Sequence, residues 1–542
     1  MNEDFKRPGI DDRPDPDEVL TDQDKASIAR LAVLPESTTP ESSRADAAVQ
    51  STKLAAEAAA PMAAAASFAT VDAAVPDPNS AFLDMRDPMV AADGTRPDKL
   101  SITRLTIAFT LSAVLCAIPW MALGSVVLPE MLDRIDPAGR EAMFAAINAV
   151  GAIVALISNV LFGALSDTTR TPFGRRTPWI VGGGVLTALF VLLFGVTSAF
   201  PAMLFAWCGM QFGYNMMLAP FVAAMADRVP DKVRGRVARC YGTGIAVGQM
   251  LGLLVGAVIL AGSGRGMDPS LITNPAGPAG PVNLAADLSP LRIGFVPAAI
   301  LFALIGLAVV LIWPREPSSV EQANTRFDVH ALLADFRPPR HAPDYYRMLV
   351  ARTLMMAGYG MIPMYELYIL KYYSLASVIA GPGAFVTSAP ALLPVAVVIA
   401  VMAVIALAAS LIAAFVAGPL VDRFGVSRNL VMVCCLLCLI GVVFPWILPS
   451  GLGMWLFAAV AGFGYGLYNA VDHALSMTVL PDPSDAGREL AVLNLTNTLS
   501  VVVSAVVGAG AVVLGSYSWL FIVALAMIAV AVVLLSTMRA VR

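Results

Sequence analysis

From Lys99 onward, apolar runs of about twenty residues follow one another with little between them. Each is long enough for a helix to cross the ~30 Å hydrocarbon core of a bilayer. Twelve can be counted, over approximately 103–128, 142–165, 178–198, 201–226, 237–261, 292–313, 347–371, 391–418, 429–448, 452–479, 490–513 and 516–537. Backbone groups at membrane depth must satisfy one another, so only helices and closed barrels span. Runs this long, without strict alternation, do not read as barrel strands. The expected fold is an all-α membrane protein of twelve transmembrane helices.

Composition agrees: 58% of the 542 residues are hydrophobic and 14% charged, against roughly 25% charged in a soluble domain. A formal net charge of -4 gives no sign of a nucleic-acid partner. The six cysteines fall within or at the ends of apolar runs and read as small buried hydrophobes, Cys435 and Cys438 included. His330, His341 and His473 are too scattered to form a ligand cluster. No phosphate-binding glycine loop, metal-ligand spacing or nucleophile with a base stands out, so neither enzyme nor cofactor nor metal is expected. Residues 1–98, rich in Pro, Asp, Ser and Ala, read as a disordered cytoplasmic tail without a cleaved signal peptide.

Basic residues fix the expected orientation. Alternate connections carry Arg170, Arg175 and Arg176; Arg228, Lys232, Arg234 and Arg236; Arg315, Arg326, Arg337 and Arg340; Arg423 and Arg428; and Arg488. By the positive-inside rule these loops and both termini are cytoplasmic, in a multi-pass protein of the cell membrane.

The two halves repeat. Gly163, Leu165 and Asp167 match Gly418, Leu420 and Asp422 at an offset of 255. Phe173 and Gly174 match Phe424 and Gly425 at 251, and the same offset pairs Phe212, Gly213 and Tyr214 with Phe463, Gly464 and Tyr465, and Pro230 and Asp231 with Pro481 and Asp482. Gly235 and Arg236 match Gly487 and Arg488 one residue out of step. Such persistence predicts a duplicated six-helix unit: bundles over 99–313 and 347–542, joined by a cytoplasmic loop over 314–346, with a solute path between them.

The string from Gly163 through Ser166 and Asp167 to Phe173, Gly174, Arg175, Arg176, Thr177, Pro178 and Trp179 resembles the signature loop of the major facilitator superfamily. In detail it is similar to the sucrose-transporter-like and SLC45-type branch. The resemblance implies that Asp167 meets the start of the eleventh helix near Arg488 and Glu489, and pseudosymmetry sets Asp422 near Arg234 and Arg236. With Gly163 and Gly418, which let a neighbouring helix approach closely, and with Arg175, Arg176 and Arg423, these form a gate that latches the halves on the cytoplasmic side. The bland alternative is a set of static interfacial ion pairs.

Ionisable residues at membrane depth are costly and mark function by default. Asp472 and His473 stand nine and eight residues before Pro481, ~12–14 Å along a helix and so near the midplane. Their counterparts in the first half are Phe221 and Val222. Tyr465, Asn469 and Asp472 share a helical face with Tyr468 adjacent. The seventh helix offers Tyr359, Tyr365 and Glu366, the last able to pair with Lys371, and Arg352, one turn inside and able to snorkel. The fourth offers Trp207, Gln211, Tyr214 and Asn215. Where the sucrose carriers have an acidic residue four positions before this Asn and a basic residue after the Pro, the chain has Gln211 and Val222. That departure leaves Asp472, Glu366 or His473 as proton-coupling groups, and the polar and aromatic residues, Glu366 and Asp472 among them, as a substrate wall; the alternative for Asp472 is a structural interhelical bond.

These readings converge on a monomeric secondary transporter in the lipid bilayer. It moves a small-molecule substrate, a polar organic solute such as a sugar or glycoside, together with a proton. The alternatives are efflux of drugs by proton antiport and a transport-dead receptor or scaffold.

Overall fold

In the computed structural model, the residues described are 89, 91, 96–263, 288–320, 343–374, 392–424, 428–478, 486–514 and 516–538; the side chains of 231, 310, 392–393, 418, 421–422, 424, 428, 470 and 473–494 are outside this description. Nearly all of the expected amino-terminal tail therefore lies outside the described residues, as do the side chains of Gly418, Asp422, His473 and Arg488.

Twelve spans form. Asp98 opens the first as its N-cap, its carboxylate accepting from the Ser101 N–H at 2.8 Å. Span 1 runs as an α-helix over Lys99–Met121, passes through a π-helical stretch, Ala122–Val127, and ends as α-helix Leu128–Ile135. Spans 2 to 6 are Arg140–Thr168, Thr177–Val196, Phe200–Arg228, Asp231–Ser263 and Phe295–Ile312. Span 7, Pro343–Met364, breaks at Tyr365 and resumes as Glu366–Ile369 and a π-helical turn, Leu370–Ser374. Spans 8 to 12 are Leu392–Phe424, Arg428–Ile447, Gly451–Thr478, Ala486–Leu514 and Tyr517–Ser536. Among the described residues, ten helices are apolar and long enough to cross a membrane, and spans 4 and 7 are the two left out. They carry most of the polar and aromatic candidates and are largely buried.

Packing reproduces the duplication seen in the sequence. Span 1 packs on spans 5 and 6, span 4 on 2 and 3, and span 3 on 6; likewise span 7 packs on 11 and 12, span 10 on 8 and 9, and span 9 on 12. The bundles meet where span 2 touches 11 and span 5 touches 8, two contacts that exchange under the pseudo-twofold. The repeated glycines explain part of this equivalence. A Cβ on Gly213 would lie 2.7 Å from the Thr187 backbone nitrogen in span 3, and one on Gly464 would lie 2.8 Å from the Leu437 Cβ in span 9. Small residues let transmembrane backbones approach to van der Waals contact, the main force holding helices together in lipid.

Candidate transport cleft and its two ends

The aromatic and amide residues of span 4 face the first span. Trp120 stacks on Tyr214 with ring centroids 4.8 Å apart and lies 6.0 Å from Trp207. Beside them a cavity reaches from one bundle to the other. It is lined by Trp120, Ser125, Asn148, Trp207 and Gln211 from the first, and by Pro363, Met364 and Val501 from the second. No charged side chain lines it among the described residues. Trp207 Nε1 and Gln211 Oε1, one helical turn apart, are buried and have no hydrogen-bond partner among the described residues. One is a donor and the other an acceptor, and a buried polar atom left unmatched costs ~1–3 kcal/mol. Gly151 makes room for the Trp207 indole, since a Cβ there would lie 2.7 Å from Trp207 Nε1.

Asn215 does not turn its amide to the cavity: it donates to the Gln211 carbonyl at 2.8 Å and accepts from Asn159 at 3.3 Å. Sequence reasoning singled out Trp207 and Gln211 but missed Trp120, Ser125 and Asn148 as cavity residues. Asn148 was visible as an intramembrane amide one span away; nothing marked Ser125.

The second bundle gathers its polar groups elsewhere. Asp472 is 1% exposed and pairs with Arg352 at 3.1 Å, while the other guanidinium nitrogen of Arg352 donates to Asn497 at 3.3 Å. The expected snorkelling of Arg352 is thus corrected: it is 3% exposed and turns inward, because a buried carboxylate is a better partner than a distant interface. Tyr359 stacks on Tyr465 with centroids 4.0 Å apart, and Tyr465 on Tyr468 at 6.3 Å. Asn469 is partly buried, with the Tyr465 hydroxyl hydrogen-bonded to its side chain. Tyr365 donates its hydroxyl to the Ala505 carbonyl in span 11 at 2.5 Å. Glu366 is 2% exposed, and its Oε1 has no hydrogen-bond partner among the described residues. The expected pairing of Glu366 with Lys371 does not form. The helix break at Tyr365 and the π-turn redirect Lys371 across the interface.

Lys371 instead reaches the first bundle, donating to Glu130 at 2.9 Å and also to Asp133. Around it Tyr372 donates to Asp133 at 2.6 Å, Tyr368 to the Pro129 carbonyl at 2.9 Å, and Tyr517 to Glu141 at 2.7 Å. Arg140 pairs with Asp133 and Glu141 at 2.9 and 2.8 Å, its guanidinium 3.7 Å above the Tyr372 ring. Arg134 completes the group on Glu130 at 2.9 Å. Three acids and three bases cancel, and none has more than 14% of its side chain exposed. This end is sealed, by residues the sequence showed only as ordinary boundary charges. The π-helical stretch of span 1 lies just before Glu130 and Asp133, and that of span 7 itself holds Lys371 and Tyr372; π-bulges are frequent at functional sites.

At the opposite end lies the signature loop; the side chains of Arg488 and Glu489, expected to meet Asp167, are outside the described residues. Asp167 is 53% exposed and pairs with Arg176 at 2.5 Å and Arg175 at 3.8 Å, in its own bundle. The same arginines hold Asp227 at the end of span 4, at 2.7 and 3.0 Å. Glu316 accepts from the backbone N–H groups of Arg175, Arg176 and Thr177 at 3.0, 3.1 and 2.9 Å, which fixes the start of span 3. Gly174 takes φ 89° for this turn. A Cβ on Gly163 meets nothing within 4 Å among the described residues, and the side chains at the start of span 11, where the close approach is expected, lie outside them. Arg236 and Arg423 are exposed. Asp167, Arg236 and Arg423 are thus exposed at the signature end, while buried ion pairs close the far end.

Comparison with known proteins agrees with this architecture. The nucleoside transporter NupG superposes with a TM-score of 0.57 at 15% identity, over 82% of this chain and 100% of that one. A bacterial homologue of the human lysosomal transporter Spinster, in an inward-facing, occupied conformation, gives 0.57 at 15% identity over 81% and 96%. No curated protein matches the sequence. A profile of the Major Facilitator Superfamily matches residues 100–406 and 393–541. The chain, a multi-pass membrane protein with a cleft between two repeated bundles, belongs to the Major Facilitator Superfamily.

Proposed function

We propose that the chain carries an uncharged polar organic solute, a sugar or glycoside, across the cytoplasmic membrane with a proton, by alternating access. The observation that carries this reading is the unmatched pair Trp207 Nε1 and Gln211 Oε1 in an aromatic cavity without charge. Hydroxyls both donate and accept, so one ring with vicinal hydroxyls would satisfy both atoms, and indole faces suit the apolar faces of a sugar ring. The likeness of the signature loop to the sucrose-transporter-like branch points the same way. Efflux of cationic drugs finds less support, since no carboxylate faces this cavity among the described residues.

Proton coupling falls to Asp472 or Glu366. The first is held by Arg352, and the second is buried with one oxygen unmatched. Protonation of either would remove a charge from the bundle interior and change what its neighbours can hold. In this reading the signature end is cytoplasmic, the structure is inward-open, and the Lys371 cluster is the outer gate.

Uptake of radiolabelled sugars into proteoliposomes under an imposed pH gradient, run beside a dye-efflux assay, tests the proposal. Accumulation that collapses with the gradient is expected. Dye extrusion without sugar accumulation would overturn it.

A further inference from the structure

The basic residues at the signature end fall into two groups. Most have partners within the protein. Arg175 and Arg176 hold Asp167 and Asp227, Arg347 pairs with Asp344 at 2.5 Å, and Arg104 donates to the Ile312 carbonyl at 2.8 Å, closing the end of span 6. Lys232, Arg236 and Arg239 differ. All three are exposed, and no acceptor among the described residues pairs with their side chains.

With Thr243 they recur at spacings of four, three and four, which puts them on one face of span 5. Toward the far end the same face continues as Val247, Met250, Leu254 and Val258, none of them buried and Val258 72% exposed. At the offset of 252 that pairs Arg236 with Arg488, Val247 and Leu254 match Leu499 and Val506 of span 11, also apolar and exposed. A face of long apolar side chains left open in both bundles is the one a spanning helix turns to acyl chains. The basic stripe below it belongs to the first bundle alone, because Lys232 and Arg239 match Ser484 and Ala491.

Depth follows from length. Ser263, at the other end of span 5, accepts from Arg134 of the far-end cluster at 2.9 Å, which marks the opposite interface. Thr243 stands ~30 Å back along the helix, one hydrocarbon thickness away. Arg239 and Arg236 lie ~6 and ~10 Å beyond Thr243, at and just above the headgroups. Lys232, one turn further out, has a long stem with which to reach back.

We propose that this face binds an anionic phospholipid of the leaflet on the signature side, its phosphate between Arg236 and Arg239 and its chains along Val247, Met250 and Leu254. Cations at headgroup depth without a protein partner attract anionic lipid, and the guanidinium fork matches a phosphate in geometry as well as charge. The inference rests on the membrane placement of span 5 and not on what the cleft carries.

The test uses the full chain in detergent micelles and native mass spectrometry, which counts the lipids that stay bound. Wild type is expected to retain phosphatidylglycerol several-fold better than phosphatidylcholine of the same chains. Lys232→Gln with Arg239→Gln should remove most of that preference. Arg315→Gln with Arg347→Gln, which takes as many cations from the same end, should leave it at the wild-type level. Equal retention of the two lipids by wild type overturns the proposal. So does an equal loss in both double variants, the mark of general charge attraction. An unchanged preference in Lys232→Gln with Arg239→Gln overturns it too, and is the result expected if the stripe serves only acids of the second bundle.

Discussion

The two bundles place different chemistry at one equivalent crossing. Where span 1 meets span 4, Phe109 packs edge-on against Phe221 with centroids 4.9 Å apart, and Phe221 stacks on Trp313 at 5.7 Å. Where span 7 meets span 10, Arg352 pairs with Asp472, the residue matching Phe221 in the repeat, at 3.1 Å. A scaffold that accepts an aromatic pair has no structural need for a buried ion pair there, because apolar replacements of such pairs are often neutral or stabilising. A transport role for the Asp472–Arg352 pair and a purely structural interhelical bond are the two readings of this contrast, and they predict different outcomes for the variants below.

Asp472→Asn gives the largest expected effect and strikes this contrast directly. It leaves Arg352 buried with its ionic partner gone, which costs ~3–5 kcal/mol and lowers the thermal unfolding midpoint; proton-driven uptake is expected to vanish. Arg352→Gln combined with Asp472→Asn separates the two effects. The double variant should recover most of the stability and none of the proton coupling. Wild-type accumulation by that protein would reduce the pair to scaffolding.

Lys371→Met comes next and tests the sealed far end against the signature end. The substitution keeps the stem but strands Glu130 and Asp133 beside each other, so the closed arrangement loses a buried cation worth several kcal/mol. Labelling of Ser125→Cys by an impermeant maleimide, added from the face opposite the signature loop, should accelerate at least several-fold. An unchanged rate would show that other contacts keep this end shut.

The repeated glycines compare the bundles at the level of packing. Gly213→Ala meets a backbone atom, Thr187 N, whereas Gly464→Ala meets first a side-chain atom, Leu437 Cβ, with the Cys438 nitrogen at 3.1 Å. A Cβ moves only with its backbone, so neither contact yields by a rotamer change, and the shorter distances at Gly213 set the order. Both should destabilise within the ~1–3 kcal/mol of overpacked cores, with Gly213→Ala the worse of the two. Thermal unfolding of the purified variants gives the order, and the reverse order would mean that span 3 adjusts more easily than span 9.

How much of this was legible beforehand follows from what each feature depends on. Span number and duplication were readable because bilayer thickness and repeat offsets are one-dimensional quantities. Trp207 and Gln211 could be picked out because polar residues inside an apolar run are conspicuous. The far-end gate could not: Glu130, Asp133, Glu141, Lys371 and Tyr517 come from four spans, and each alone is an unremarked charge or phenol near a helix end. Their meaning arises from the π-turns in spans 1 and 7, which no propensity argument locates. The partner of Asp472 was hidden for the same reason, since Arg352 read as a residue close enough to the boundary to escape it.

Gln211→Leu removes the acceptor at nearly constant volume and tests the cleft against the second bundle. A roughly tenfold rise in KM for the sugar, with the pH dependence of uptake unchanged, is the expected split for a substrate hydrogen bond of ordinary strength. An altered pH profile with unchanged KM would move the proton pathway into the first bundle.

The smallest effect is expected at the signature end. Asp167 is more than half exposed and its bridges to Arg175 and Arg176 stay within one bundle, so Asp167→Asn should change stability by less than about 1 kcal/mol, as solvent-screened pairs do. Turnover is another matter. If Asp167 must leave these arginines to meet the second bundle when the signature end closes, the substitution slows exchange without changing KM, because it alters the populations of two states and not the cavity. Stopped-flow uptake distinguishes this from a passive surface pair, which would leave both turnover and KM at wild-type values. That last result would place all of the breakable contacts at the Lys371 end, making the transporter's two gates as unlike in chemistry as its two bundles.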